Sequence, residues 1–288
     1  MTREVAAARA ALERVLAGGA ESRRAKLEPL AGGTQRRSWL ATFGDGRRAV
    51  LRMPMPHSNA LLDVVTEARA MDAAAGVGIA PAVLAADAES GVLLTEFRAG
   101  DRWAPADAHR PANIERLTAL LRTLHALPTE LPVFGAERIA SRYLAALPRG
   151  VREPRAARWG NELMTLARRY DERCAPTAFC HNDLVAANVI DDGELALVDF
   201  EYAARAEPLL DLANLAAMNA FDGDEQRASL AAYRRAAPAA AELADLTWLV
   251  RMVRLMAWFW ALLGEANAHD PSLYAPYLTE LAAHLRRD

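Results

Sequence analysis

The sequence predicts an α+β protein, with a small antiparallel β-rich N-terminal lobe holding one helix and a larger, mostly helical C-terminal lobe. Three observations predict it. Short apolar runs bounded by glycine turns dominate to about residue 99, helical periodicity dominates from Asp101 onward, and 288 residues exceed what one small core needs. The division falls near Ala99-Gly100, giving lobes at 1–99 and 100–288. Lobes joined in this way commonly hold a ligand between them.

A helix over 2–17 comes first, ended by Gly18-Gly19. Strands follow at 26–30, 37–43 and 47–53. Gly32-Gly33-Thr34 links the first two, and Gly44-Asp45-Gly46 makes a hairpin turn between the second and third. A helix at about 60–75 is stopped by Gly76 and Gly78. Two short strands, 82–86 and 92–97, then flank Asp87-Ala88-Glu89-Ser90-Gly91. Beyond Asp101, helices read at about 112–126, 137–147, 155–173, 208–219, 224–236, 241–264 and 271–286. Between them, 181–201 alternates around the turn Asp191-Asp192-Gly193, the pattern of a small hairpin.

Composition narrows the class. Apolar residues make up 52% and charged residues 25%, which is globular and not disordered, and a net charge of −3 gives no reason to expect nucleic acid as a partner. Cys174 and Cys180 are too few for a disulfide framework and lack metal-ligand spacing. The N-terminus has no unbroken apolar signal core, and the stretch 255–263 is shorter than a bilayer span, so a cytoplasmic chain without membrane insertion is expected. Charge is unevenly placed. Residues 1–60 carry eleven Lys or Arg against five acids, a surplus of six, whereas 181–225 carry one Arg against eleven acids, a deficit of ten. That polarity suits a polyanionic cosubstrate at one end of a cleft and a cation at the other; solvated helix faces are the plainer alternative.

The segment CHNDLVAANVIDDGELALVDFEYA (180–203) carries the chemistry. His181-Asn182-Asp183 is followed by Asn188, and Asp199-Phe200 comes eleven residues after that. This is the spacing of a phosphotransferase catalytic loop, in which the Asp faces an attacking hydroxyl and the Asn helps to hold Mg²⁺. Asp183 supplies the acceptor of the hydroxyl proton, while Asn188 and Asp199 supply hard oxygen ligands. Upstream, Arg52 ends an apolar strand where a cation would grip nucleotide phosphates, and Glu67 on the next helix can pair with it. Gly33 and Thr34, in a turn without the full G-x-G-x-x-G pattern, would bring backbone N–H groups over the phosphates. Glu96 and Phe97 precede the lobe boundary, where backbone would meet adenine.

On these motifs the chain resembles the choline/ethanolamine kinase branch of the aminoglycoside-phosphotransferase-like kinases. The likeness runs from LEPLAGGTQRRSW (27–39) and AVLRMP (49–54), through VLLTEF (92–97), to HNDLVAAN, LVDFEYA and PLLDLANLA (208–216), with LMAWFWALLGEAN (255–267) matching an aromatic helix. The resemblance implies a bilobal protein-kinase-like fold, ATP and Mg²⁺ as cofactors, and an Asp211 that braces the catalytic loop. It also implies a small cationic acceptor such as choline or ethanolamine, held by aromatic rings and carboxylates. Candidates are Trp258, Trp260, Tyr274, Tyr277 and Glu201, with Glu207 and Asp222 as further carboxylates. Residues two apart on a helix are rotated by about 200°, so only one of the two tryptophans can serve, and Trp258 is preferred. The family commonly has Glu seven residues after the bracing Asp, where this chain has Met218. Thiamine, an aminoglycoside or another amino alcohol are alternative acceptors, and an inactive nucleotide-binding protein is the non-enzymatic alternative. Protein substrates are disfavoured because Glu207-Pro208 follows Asp199 by eight positions, too few for an activation segment.

Overall fold

The computed structural model describes residues 3–30, 36–55, 63–148, 154–267 and 270–287. Contacts group the chain into two units, Met1–Arg102 with Asn188–Ala203, and Trp103–Ala187 with Ala204–Asp288.

The first unit opens with α1 (Arg3–Val15), whose buried residues Ala8 and Leu12 lie one turn apart. They join Trp39, Ala41, Leu51 and Leu94 in one apolar core. The short helix α2 (Ala20–Arg24) was not expected from the sequence. Then come β1 (Lys26–Leu30), β2 (Arg36–Thr42), β3 (Arg48–Pro54), α3 (Val64–Ala75), β4 (Val83–Asp87), β5 (Val92–Glu96) and β6 (Asp101–Arg102). The first five strands form an antiparallel sheet in the order β1-β2-β3-β5-β4. The β2–β3 turn is the predicted one. Asp45 Oδ1 accepts the Arg47 N–H at 3.0 Å, and Gly46 takes φ +88°, a conformation that favours glycine. Asp63 caps α3 by accepting the Val65 N–H at 3.0 Å, a contact of a kind worth about 1 kcal/mol. The expected start of this helix, near residue 60, lies outside the described residues.

The second unit begins with α4 (Pro105–Ala108), α5 (Pro111–His125), α6 (Ala136–Ala146), α7 (Pro154–Arg173) and β7 (Ala178–Cys180). The chain then contributes β8 (Val189–Asp191) and β9 (Leu195–Leu197) to the first unit. These strands make the hairpin expected around Asp191-Asp192-Gly193; β8 also pairs with β6, and the Leu197 N–H donates to Ile79 O at 2.8 Å. Those bonds group 188–203 with the N-terminal elements. Back in the second unit, β10 (Ala204–Ala206) pairs with β7 and is followed by α8 (Pro208–Met218), α9 (Gly223–Arg234), α10 (Ala240–Asn267) and α11 (Ala275–Arg287). Asp222 and Glu225 form a capping box at the start of α9.

Helix α10 is long and apolar enough to cross a membrane, but its residues from Leu246 to Leu262 are largely buried against α7, α8 and α11, as in a core helix. A side chain at Gly264 would fall inside the Tyr274 ring, so glycine there lets the segment before α11 close onto α10. The last helix starts later than expected. Residues Pro271–Leu273 form a 3-10 turn capped by Asp270, which accepts the Ser272 N–H at 3.0 Å.

Candidate functional site

In the first unit, the β8–β9 hairpin accounts for the spacing between Asn188 and Asp199. Val189 pairs with Leu197, and one step further the Val198 N–H donates to Asn188 O at 2.9 Å. Two residues eleven apart in sequence therefore flank the same hairpin end. Asn188 is 7% exposed, while the Asp199 side chain is 29% exposed, so the carboxylate keeps access to solvent. Asp199 also adopts φ +70°, a left-handed conformation that non-glycine residues take at some expense and that concentrates at functional sites. A carboxylate and a carboxamide at one hairpin end form a hard oxygen donor set that fits Mg²⁺.

Four more charged side chains surround Asp199 in the same unit. Arg52 projects from β3 and meets Glu67, in the first turn of α3, with Nη1 2.5 Å from Oε1. The other arm of Arg52 pairs with Asp199. Arg36, at the start of β2, lies with Nη2 2.6 Å from Glu67 Oε2 and Nε 3.3 Å from Glu201 Oε2. Glu67 is 1% exposed, Arg36 4% and Arg52 8%. Burial works against the charge on Arg52, but Asp199, Glu67 and Glu201 outweigh it and push its pKa up. Burial, then the Asp199 charge, push Glu201 well above the usual carboxylate range, against the pull of the two arginines. Sequence reasoning gave Glu201 to the acceptor. In the structure its 6%-exposed side chain is engaged by Arg36, with Arg52 3.8 Å away.

Glu96 and Phe97 lie at the end of the sheet. Their N–H groups donate to Ala82 O at 2.8 Å and Arg48 O at 3.1 Å, so these two donors are taken within the protein. Arg48 also covers the Phe97 ring at 4.1 Å. Gly33 and Thr34 lie outside the described residues.

In the second unit, α8 clamps the loop after β7 through amide hydrogen bonds. Asp211, fully buried, accepts the N–H groups of His181 at 2.8 Å and Asn182 at 2.7 Å. Asn214 accepts the Leu184 N–H at 2.6 Å and donates to Asn182 O at 2.9 Å. Asn219, just past the helix, accepts the Ala186 N–H at 3.0 Å and donates to Leu184 O at 2.7 Å. His181 is wholly buried, and its Nδ1 accepts the Asp183 N–H at 3.2 Å, so it holds the neighbouring aspartate's backbone from inside the core. Asp183 itself is half-buried, and Asn182 has φ +62°, a second left-handed residue in the segment. Behind Asp211 stands His125, with Nε2 3.0 Å from Oδ2 and Nδ1 2.7 Å from the Tyr233 hydroxyl. Burial pushes the Tyr233 phenol up to about 12. The Asp211 carboxylate can only accept, so the imidazole donates Nε2–H to it, and Nδ1 shares a hydrogen bond with the Tyr233 hydroxyl. Cys180 lies close to this pair, and burial, then Asp211 and Glu207, push its thiol pKa up.

The aromatic candidates separate. Trp258 is 6% exposed and packs edge-on against Trp159 at 4.8 Å and Phe259 at 5.0 Å. Trp260 instead faces Tyr274 at 5.5 Å and Tyr277 at 5.9 Å, and Tyr277 is 40% exposed. Sequence reasoning preferred Trp258 beside Tyr277; the ring beside Tyr277 is Trp260.

Arg36, Asn214, Asn219 and His125 were not anticipated. Asn214 and Asp211 had a signal, since they are the polar residues of an otherwise apolar helix, PLLDLANLAAM. A polar residue on such a helix needs a buried partner.

Comparison with known proteins agrees with this architecture. Residues 26–248 match the phosphotransferase enzyme family, to which the chain belongs. A choline/ethanolamine kinase family protein from Mesorhizobium loti is 26% identical, with a TM-score of 0.76 over 97% of this chain and 94% of that one. The choline kinase LicA from Streptococcus pneumoniae, also solved with AMP, is 17% identical, with a TM-score of 0.79 over the full length of both chains. A macrolide 2'-phosphotransferase type I shares the fold at 17% identity, with a TM-score of 0.62 over 99% of this chain and 97% of that one. No curated protein sequence matches. The chain is a small-molecule phosphotransferase with the kinase-like α+β fold.

Proposed function

We propose that the chain is an ATP- and Mg²⁺-dependent kinase acting on the hydroxyl of a small cationic alcohol, with choline or ethanolamine as the first acceptors to test. The observation that carries this reading is the hairpin end where Asn188 and Asp199 come together, with Asp199 tied to a buried Arg52–Glu67 couple.

Each residue has a definite task in such a transfer. The acceptor oxygen bonds to the γ-phosphorus as the bond to the bridging oxygen of ADP breaks, and Asp183 takes the hydroxyl proton. His181 and the α8 amides hold the Asp183 backbone for that task. Arg52 offers its guanidinium fork to phosphate oxygens, and Glu67 fixes the direction of that fork. Asn188 and Asp199 would hold Mg²⁺, which when bound neutralises charge on the triphosphate. Gly33 and Thr34 are assigned to the phosphates, and the strand end at Glu96 and Phe97 to adenine. The AMP complex of LicA supports an adenine nucleotide.

For the acceptor, Trp260 and Tyr277 offer ring faces that attract an ammonium group. The Mesorhizobium loti protein and LicA support this acceptor class. The macrolide enzyme of the same fold supports a second, bulkier class. A cytoplasmic location, where ATP is supplied, goes with the reading. An ATP-consumption screen across choline, ethanolamine, thiamine, an aminoglycoside and a macrolide tests it. Turnover dependent on choline or ethanolamine is expected. Turnover only with a macrolide or an aminoglycoside would replace the acceptor assignment, and no turnover with any acceptor would overturn the reading.

A further inference from the structure

Arg36 is a buried arginine whose three side-chain nitrogens reach three different segments. Nη2 meets Glu67 of α3 at 2.6 Å, Nε meets Glu201 at 3.3 Å, and Nη1 donates to Gly91 O in the β4–β5 turn at 3.1 Å. Glu67 divides its carboxylate, one oxygen to each arginine. Glu201 Oε2 lies between the same two, 3.3 Å from Arg36 and 3.8 Å from Arg52. Arg36, Glu67, Arg52 and Glu201 thus close a ring of alternating charge, two positive and two negative. Asp199 hangs from this ring at Arg52 and is the carboxylate left in excess.

The ring determines what Arg52 can offer. Without Arg36, Arg52 would be the one cation of this cluster facing Glu67, Glu201 and Asp199, and three carboxylates around one guanidinium cancel its attraction for phosphate. With Arg36 present, Glu201 and half of Glu67 are neutralised from the other side. A lysine could restore the charge but not the three-way reach, because an ammonium is a point charge and lacks the planar fork.

We propose that Arg36 is a positioning residue for nucleotide binding, balancing Glu201 and Glu67 so that the surroundings of Arg52 stay attractive to the triphosphate and its guanidinium fork keeps its direction. This rests on the kinase reading above. Arg36 does not touch the nucleotide in this account; it acts through Arg52.

The test uses the full chain as wild type, Arg36→Met, Arg36→Lys, and Arg36→Met combined with Glu201→Gln. MgADP affinity is measured by titration calorimetry, alongside KM for ATP and acceptor and the melting temperature. Arg36→Met is expected to weaken MgADP about tenfold and raise the ATP KM in parallel, with the acceptor KM unchanged. Adding Glu201→Gln removes the carboxylate that lost its partner and is expected to restore most of the MgADP affinity. Arg36→Lys should fall in between. Wild-type MgADP affinity in Arg36→Met would overturn the inference, and so would a double variant that regains thermal stability without regaining affinity. If Arg36→Met does not fold, Arg36→Lys decides, and wild-type affinity there would overturn the inference equally. Failure of the wild-type chain to bind MgADP would bring down the kinase reading and this inference together. Normal wild-type binding with unaffected variants removes this inference alone.

Discussion

Asp183 and Asp199 stand sixteen positions apart in sequence, yet they are fixed by different means. Asp199 sits at the edge of a buried ring of ion pairs, where Arg36 serves two carboxylates and Arg52 three, and partners can be exchanged when a ligand brings new charge. The loop carrying Asp183 is held by its own backbone N–H groups, which donate to the side chains of Asp211, Asn214 and Asn219, directional bonds that are neutral on the loop side and indifferent to an arriving anion. Charge networks are sensitive to which charges are present, while amide clamps are sensitive to geometry. The first arrangement suits the cation and polyphosphate end proposed for Asp199. The second suits the base role proposed for Asp183, which calls for one fixed position.

Substitutions that separate these two kinds of support sharpen the comparison. The largest effects are expected at the carboxylates themselves. Asp183→Ala and Asp199→Ala should each lower kcat by about a thousandfold or more, with melting temperatures close to wild type; steady-state kinetics showing near-normal turnover in either would break the assignment. Asn214→Ala comes next. It strands the Leu184 N–H and the Asn182 carbonyl, each a loss of about 1–3 kcal/mol when buried. A lower melting temperature and about a tenfold drop in kcat are expected, with MgADP affinity unchanged because the ion ring is untouched. A matching loss of MgADP affinity would erase the distinction between the two supports.

The aromatic pair gives the smallest and most selective effects. Trp260→Ala should raise the choline KM by about two- to thirtyfold, the range of a cation–π contact of about 0.5–2 kcal/mol, and leave the ATP KM alone. Trp258→Ala should act on stability instead, since that ring lies in the core between Trp159 and Phe259; a loss of about 3–5 kcal/mol is expected from chemical denaturation. The reverse pattern, with Trp258 governing KM, would restore the preference drawn from sequence.

Local encoding explains what could be read in advance. The Asn188–Asp199 relation was legible because Asp191-Asp192-Gly193 specifies a tight turn between two β-type runs, and Gly193 takes φ +104° there. The α+β division was legible from periodicity alone, and the helices of the second unit follow it closely. Arg36 was not legible. It is one of eleven basic residues in the first sixty, and the pairing with Glu201 spans 165 positions. Nothing in local pattern distinguishes a buried arginine from a solvated one. The choice between Trp258 and Trp260 also turned on which helix face meets α7 and which meets α11, a matter of packing that helical rotation separates but does not orient.

The most direct test of the account is MgADP titration into two isosteric variants, Asp183→Asn and Asp199→Asn. Asp183→Asn is expected to bind MgADP like wild type, because the proposed role of Asp183 is toward the acceptor hydroxyl, and Asp199→Asn to bind about tenfold or more weakly. Equal affinity in the two variants would contradict it.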